Sequence, residues 1–130
     1  MSTGWRRRRG RQRGAVTAEL VVGLPVLLVV TVGLVWLLAV GAAQIRTVDA
    51  AREAARAVAR GDDPGAATAV GDRVAPDGVS VSVGRDGTHV VARASGRMEG
   101  PGGLFGFLSG VRLEAEAIAL VEESGDGGTP

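Results

Sequence analysis

The hydrophobic and polar positions of this chain fall into three consecutive regimes. From Leu20 to Ala43 there are 24 residues without a charge, dominated by Val and Leu and broken only by Thr31, a few glycines and Pro25. At 1.5 Å per residue a helix of that length covers about 36 Å, more than the ~30 Å hydrocarbon thickness of a bilayer, so the run predicts a transmembrane helix. Its glycines and β-branched residues are tolerated in lipid, where an unpaired backbone group costs several kcal/mol and a single segment can satisfy its backbone only as a helix. Pro25 predicts a kink near the start of the span. Beyond it, Ile45, Val48, Ala51, Ala55 and Val58 form one stripe, while Arg46, Asp49, Glu53, Arg56 and Arg60 recur on another. This is helical spacing, with Asp49–Arg52 and Glu53–Arg56 as supporting ion pairs. The same helix therefore continues out of the membrane as far as Arg60.

Gly61-Asp62-Asp63-Pro64-Gly65 then breaks it. Asp63 is placed to cap a short second helix, about Gly65 to Val74, with Pro64 at its first position. The third regime alternates with period two. Val79, Val81 and Val83 alternate with serines, Gly84-Arg85-Asp86-Gly87 is turn chemistry, and Thr88, Val90, Ala92 and Ala94 alternate with His89, Val91 and Arg93. These features predict a hairpin with one apolar face. Residues 111–117 alternate again; their Ala, Glu and Leu equally suit a helix, but the alternation favours a third strand. The predicted class is α+β: one long N-terminal transmembrane helix extending out of the membrane, then a small antiparallel β-meander of about three strands. The expected organisation is an Arg-rich leader (1–14), a transmembrane and extended helix (15–60), a small extracytoplasmic strand-rich domain (61–123) and a disordered tail (124–130).

Charge fixes the expected orientation. The formal net charge is only +1, yet six arginines (Arg6, Arg7, Arg8, Arg9, Arg11 and Arg13) precede the apolar run with no acid among them, while residues 19–130 carry a net −5. The bias places the N-terminus in the cytoplasm and the C-terminal part outside. Such a cluster can also bind phosphates, but next to an apolar run and with Trp5 as its only aromatic it reads as a topology signal, and no nucleic-acid partner is expected. All 15 basic residues are Arg, in a chain rich in Ala, Gly and Val, which points to a high-GC, actinobacterial type of genome.

Composition also limits the chemistry. The absence of cysteine removes disulfides, thiolate metal sites and a Cys nucleophile. The single histidine, His89, has no second ligand near it in sequence, the serines lack a base, and Gly100-Pro101-Gly102-Gly103 lacks the Gly-Lys-Ser/Thr of a phosphate loop. No catalytic residue, metal site or cofactor is expected. Leu104, Phe105, Phe107 and Leu108, set between glycines, either cover the sheet or form an apolar contact for another subunit.

One constellation remains. In Arg13-Gly14-Ala15-Val16-Thr17-Ala18-Glu19, a glycine ends the basic leader and a lone carboxylate follows five positions later, at the edge of the apolar run. The arrangement resembles the processing site of type IV prepilins. Together with Leu20, Gly23-Leu24-Pro25, the helix running out of the membrane and the strand-rich tail, it looks like the TadE-like family, the minor pilins or pseudopilins of tight-adherence (Flp-type) pilus systems. The resemblance implies cleavage between Gly14 and Ala15 by a membrane-embedded prepilin peptidase. It also implies pairing of Glu19 with the amino terminus of a neighbouring subunit, and partners that include other pilin or pseudopilin subunits, the inner-membrane pilus platform and membrane lipid. Two alternatives stay open: an exported soluble domain whose signal peptide is cut near Val40-Gly41-Ala42, and an unprocessed membrane-anchored accessory protein. The apolar run is longer than the 7 to 15 residues of an ordinary signal-peptide core, which counts against the first.

Overall fold

The computed structural model describes residues 6–106 and 109–121, so the start of the leader, Phe107, Leu108 and the expected C-terminal tail lie outside the described residues. The element order is α1 (Arg6–Ala59), α2 (Pro64–Val74), β1 (Val79–Asp86), β2 (His89–Met98), a short 3-10 turn (Gly103–Phe105) and β3 (Val111–Leu120). The chain divides into two compact units, one ending at Leu37 and one beginning at Leu38.

The first unit is α1 alone. Its side chains from Gln12 to Thr31 are exposed, Val and Leu included. Among the described residues α1 is the one helix long and apolar enough to cross a membrane, and its most apolar 18-residue stretch, of mean hydropathy 2.7, has no buried residue. An apolar surface of this size is unfavourable in water and suits hydrocarbon. Thr31 donates its hydroxyl to the Leu27 carbonyl at 2.8 Å, which satisfies the one side-chain hydroxyl of the apolar run. The helix continues through Pro25, whose missing N–H leaves the Val21 carbonyl without its regular donor.

The second unit is the distal part of α1 packed under a three-stranded antiparallel sheet of order β1-β2-β3. The expected third strand is present. In register, Val81 faces Ala94 on β2, and Ala94 faces Ala115 on β3. The inward positions Val81, Val90, Ala92, Ala94 and Leu113 are buried, whereas their neighbours in sequence point outward. Beneath them lie Ala50, Ala51, Ala54 and Ala55 of α1, and further along the helix Ala57 and Val58 meet Ala67 and Val90.

The expected helix stripe is covered at Ala51, Ala55 and Val58 and half-buried at Val48, but Ile45 is 64% exposed, and the covered face is broader, taking in Ala43, Thr47, Ala50, Ala54 and Ala57 as well. Alanine occupies several sides of this helix, so bulk apolar character does not select the inward face. Close backbone approach does, and it favours the line of smallest residues. Thr47 fits within that line because its hydroxyl donates to the Ala43 carbonyl at 2.8 Å. Of the expected ion pairs, Glu53 lies 3.9 Å from Arg56 and 4.0 Å from Arg60, while Asp49–Arg52 does not form among the described residues.

The helix ends as its sequence dictates. Gly61, at φ +98°, closes α1 with bonds from its own N–H to the Val58 carbonyl and from Asp62 N–H to the Ala57 carbonyl, the double bond of a Schellman cap. Asp63 caps α2 by accepting the Gly65 N–H at 2.9 Å, with Pro64 at the first turn. The hairpin is tighter than the expected four-residue turn. Asp86 pairs with His89, so only Gly87 and Thr88 form the loop, and Gly87 at φ +60° supplies the positive φ that a type II′ turn needs at its first central position.

Both edges of the sheet are partly closed by long-range side chains. Asp72 on α2 accepts the N–H of Val81 at 2.8 Å, and Gln44 on α1 donates to the Glu114 carbonyl at 2.9 Å. In the antiparallel register, residues 79, 81 and 83 on β1 and residues 112, 114 and 116 on β3 turn their backbone groups away from β2. Each side chain thus blunts an edge open to strand addition.

Candidate functional site

Gly14, Ala15 and Glu19 all lie on α1 and are exposed. A Cβ at Gly14 would meet nothing within 4 Å. The backbone there is open on that side, as close approach by another protein's active site requires. Helix geometry sets Gly14 and Glu19 about 140° apart around the axis, but Ala15 and Glu19 one turn apart on the same face. Thr17 donates to the Arg13 carbonyl at 2.9 Å. Its hydroxyl is thereby held to the helix, although the residue sits beside the expected scissile bond.

Glu19 borders a shallow groove formed with Val16, Leu20, Gly23, Leu24 and Leu27. These positions repeat at three and four residues, so they form one continuous face of the helix. Gly23, one turn after Glu19, leaves open space beside the carboxylate, since a Cβ there would also meet nothing within 4 Å. A second helix laid into this groove would bring its own backbone close to Glu19. A carboxylate immersed in hydrocarbon is costly unless it is paired.

The rest of the molecule carries little chemistry. His89 is exposed, with its Nδ1 3.4 Å from the Thr88 hydroxyl. Among the described residues no three His, Asp or Glu side chains gather closely enough to hold a metal ion. On the outer sheet face Arg93 Nε donates to Glu116 at 2.7 Å. That hydrogen bond, and then the Glu116 charge, hold the Arg93 guanidinium above its usual pKa range. The pair is solvent-exposed, and its effect on stability is correspondingly small.

Residues 14–56 match the family described as TadE-like protein. The chain is TadE-like over that segment. The match takes in Gly14, Ala15, Glu19, the whole apolar run and most of the helix beneath the sheet. The chain is also 38% identical over 87 residues to the protein named Apoptosis inhibitor Rv3655c of Mycobacterium tuberculosis. The aligned region covers 67% of this chain and 63% of that protein, so the chain spans less than two thirds of its relative's length. No solved structure matches the chain significantly.

Sequence reasoning singled out Gly14, Ala15 and Glu19, all of which fall inside the matched segment. It missed Gln44, Thr47 and Asp72, which organise the second unit. None belongs to a local motif, and two of them act on partners distant in sequence.

Proposed function

We propose that this chain is a minor pilin or pseudopilin subunit of a Tad/Flp-type pilus or a related secretion system. It inserts with its Arg-rich end in the cytoplasm, is cut by a prepilin peptidase between Gly14 and Ala15, and joins other subunits through its exposed helix. In this reading residues 1–14 are a leader, 15–60 the assembly helix, 61–123 an extracytoplasmic domain and 124–130 a tail. Its role is structural and requires no cofactor. The observation that carries the proposal is the TadE-like match over residues 14–56, on a helix whose apolar surface is exposed. The open backbone at Gly14 and the groove beside Glu19 support it.

After cleavage the new amino group at Ala15 and the Glu19 carboxylate lie on one helix face, one turn apart. In a bundle of such helices the carboxylate of one subunit can meet the amino terminus of the next. The exposed groove then accepts a neighbouring helix, and the inner-membrane pilus platform is the place where that contact forms.

Glu19→Ala tests the pairing. Removing a carboxylate from the edge of the span eases insertion, by up to ~3 kcal/mol at full immersion and less at the interface. Membrane levels and cleavage should therefore persist, while the protein disappears from the sheared filament fraction because the Ala15 amine loses its partner. Wild-type incorporation of Glu19→Ala into filaments would refute the pairing.

The relative's name supports a second reading, in which this chain too inhibits apoptosis. Purified protein added to cells committed to die would have to lower the dying fraction; an unchanged fraction removes that reading.

A further inference from the structure

We infer that copies of this chain join edge to edge: the open part of β3 in one copy pairs in parallel with the open part of β1 in the next, making one continuous sheet of the two. The contact lies entirely within the second unit. It is separate from the helix contact proposed above and needs neither cleavage at Gly14 nor Glu19.

In the antiparallel ladder the odd-numbered residues of β1 and the even-numbered residues of β3 direct their backbone groups away from β2. Each edge is closed on one part of its length. On β1 the Val79 N–H donates to the Pro76 carbonyl at 3.1 Å and the Val81 N–H to Asp72 at 2.8 Å, and on β3 the Glu114 carbonyl accepts Gln44 at 2.9 Å. Towards the hairpin end the edges are open. Among the described residues, the edge-facing N–H and C=O groups of Val83 and Arg85 on β1, and of Glu116, Ile118 and Leu120 on β3, have no hydrogen-bond partner. Ile118 and Leu120 are also 62% and 64% exposed. Two large apolar side chains stand where a protected edge carries lysine or proline.

The geometry of the two openings selects a second copy as the occupant. β1 and β3 both run antiparallel to β2, and so run parallel to each other. The register sets Gly84, Val91 and Ile118 in one row across the sheet, with Val83 and Ala117 in the row before and Arg85 and Ala119 in the row after. The open stretches therefore lie at one level, on opposite sides of the sheet. Moving a copy sideways by the width of the sheet, with no reversal and no shift along the strands, sets its Gly84 beside Ile118. In a parallel pair a residue bonds to the two neighbours of the residue opposite it. Ile118 then donates to the Val83 carbonyl and accepts the Arg85 N–H of the next copy. Glu116 accepts the Val83 N–H, and Leu120 donates to the Arg85 carbonyl.

The side chains permit this register. A Cβ at Gly84 would meet nothing within 4 Å, so the place opposite Ile118 is vacant. Glu116 falls opposite Ser82, Leu120 opposite Asp86 and Ala119 opposite Arg85, with no like charges face to face. Below the β1 edge, the α2 face that carries Asp72 also carries Ala69 and Gly65, both exposed and small, so α2 does not bar the approach. Pairing of β3 with a second β3 fits less well. Centred on Glu116, that antiparallel two-fold sets the carboxylate against its own copy, and in every register it leaves β1 open.

The chain has no cysteine, so Gly84→Cys and Ile118→Cys can be placed in separate full-length copies bearing different tags. The two are co-expressed and isolated membranes are treated with a short bis-maleimide. The expected product is an adduct containing both tags, with none from either variant alone and none when Ser95→Cys on the central strand replaces Gly84→Cys. Adding Leu120→Pro to the Ile118→Cys copy removes an N–H that faces the open edge and leaves the β2–β3 ladder whole. The mixed adduct should then be lost, while the β2 and β3 amides stay protected from exchange. It should persist when both copies carry Glu19→Ala, which separates this contact from the helix pairing. Absence of the mixed adduct, although both cysteines react with a mono-maleimide, overturns the inference. An adduct from Ile118→Cys alone overturns it in favour of a symmetric β3 pair, and a mixed adduct that survives Leu120→Pro shows proximity without strand pairing and overturns it as well.

Discussion

Gly71 sits where α2 meets both β1 and α1, and replacing it with alanine sets two known effects against each other. In a helix interior Gly→Ala is ordinarily favourable by roughly 1 kcal/mol, because alanine loses less backbone freedom on folding. Here an added Cβ would lie 2.9 Å from Val81 Cγ1, 3.1 Å from the Ala50 carbonyl oxygen and 3.1 Å from Ala54 Cβ. Ordinary carbon contacts lie near 3.5–4.0 Å. None of the three neighbours moves easily: Val81 is β-branched and 6% exposed, Ala50 O belongs to the α1 backbone, and Ala54 is fully buried. Overpacking of this kind costs about 1–3 kcal/mol, so the net expectation for Gly71→Ala is a loss of about 1 kcal/mol. Amide hydrogen exchange of full-length protein in detergent micelles reads this directly. Protection of the β1 and β2 amides should fall roughly fivefold, while amides in the apolar run remain unchanged. Adding Val81→Ala removes the nearest atom, and the double variant should lose at least ~0.5 kcal/mol less than the sum of the single changes. Slower exchange in Gly71→Ala than in the wild type would show that α2 does not approach this closely, and would refute the packing argument.

Two further outcomes follow from the fold and the charge pattern. Among the described residues Leu113 is the largest fully buried side chain, so Leu113→Ala should cost about 2–5 kcal/mol and release the sheet from α1, seen as rapid proteolysis beyond residue 60 with the apolar segment retained in the membrane. A periplasmic-type reporter fused after Pro130 should be active only outside the cytoplasm, as the six N-terminal arginines require; activity inside would reverse the proposed orientation.

The strands were legible because most of their outward positions are Ser, Arg and Glu while their inward positions are mainly Val, Ala and Leu; the contrast is lost only where Val91, Ile118 and Leu120 face outward. Residues 111–117 alternate as cleanly as the hairpin, and that outweighs the helical preference of their alanines and glutamates. The helix caps were legible too, since Gly61, Asp63 and Pro64 act on backbone within a few residues of themselves. The inward face of α1 was legible only in part: Ala51, Ala55 and Val58 were expected and are buried, whereas Ala43, Thr47, Ala50, Ala54 and Ala57 were not singled out. With alanine all around the helix, its selection depends on how closely two backbones approach, and a sequence pattern does not record that distance. Ile45 drew the expected stripe towards itself by size alone. The turn was misplaced by a few residues because Gly84 and Gly87 both suit one, and only the pairing of Asp86 with His89 decides between them. Gln44 and Asp72 stayed hidden for a different reason: each satisfies a strand edge that exists only once the sheet has formed. For the candidate site, the spacing of Gly14, Ala15 and Glu19 was readable because it is local to one helix, whereas the contact proposed for Glu19 involves a second molecule.

The mature N-terminus tests the central proposal most directly. Protein extracted from the membranes of the native organism, subjected to N-terminal sequencing, should begin at Ala15, and Gly14→Leu should leave the arginine leader attached by crowding the scissile bond. A native protein that begins at Met1 or Ser2 would contradict the pilin account and leave a plain membrane anchor, while one that begins near Ala43 would establish an exported domain instead.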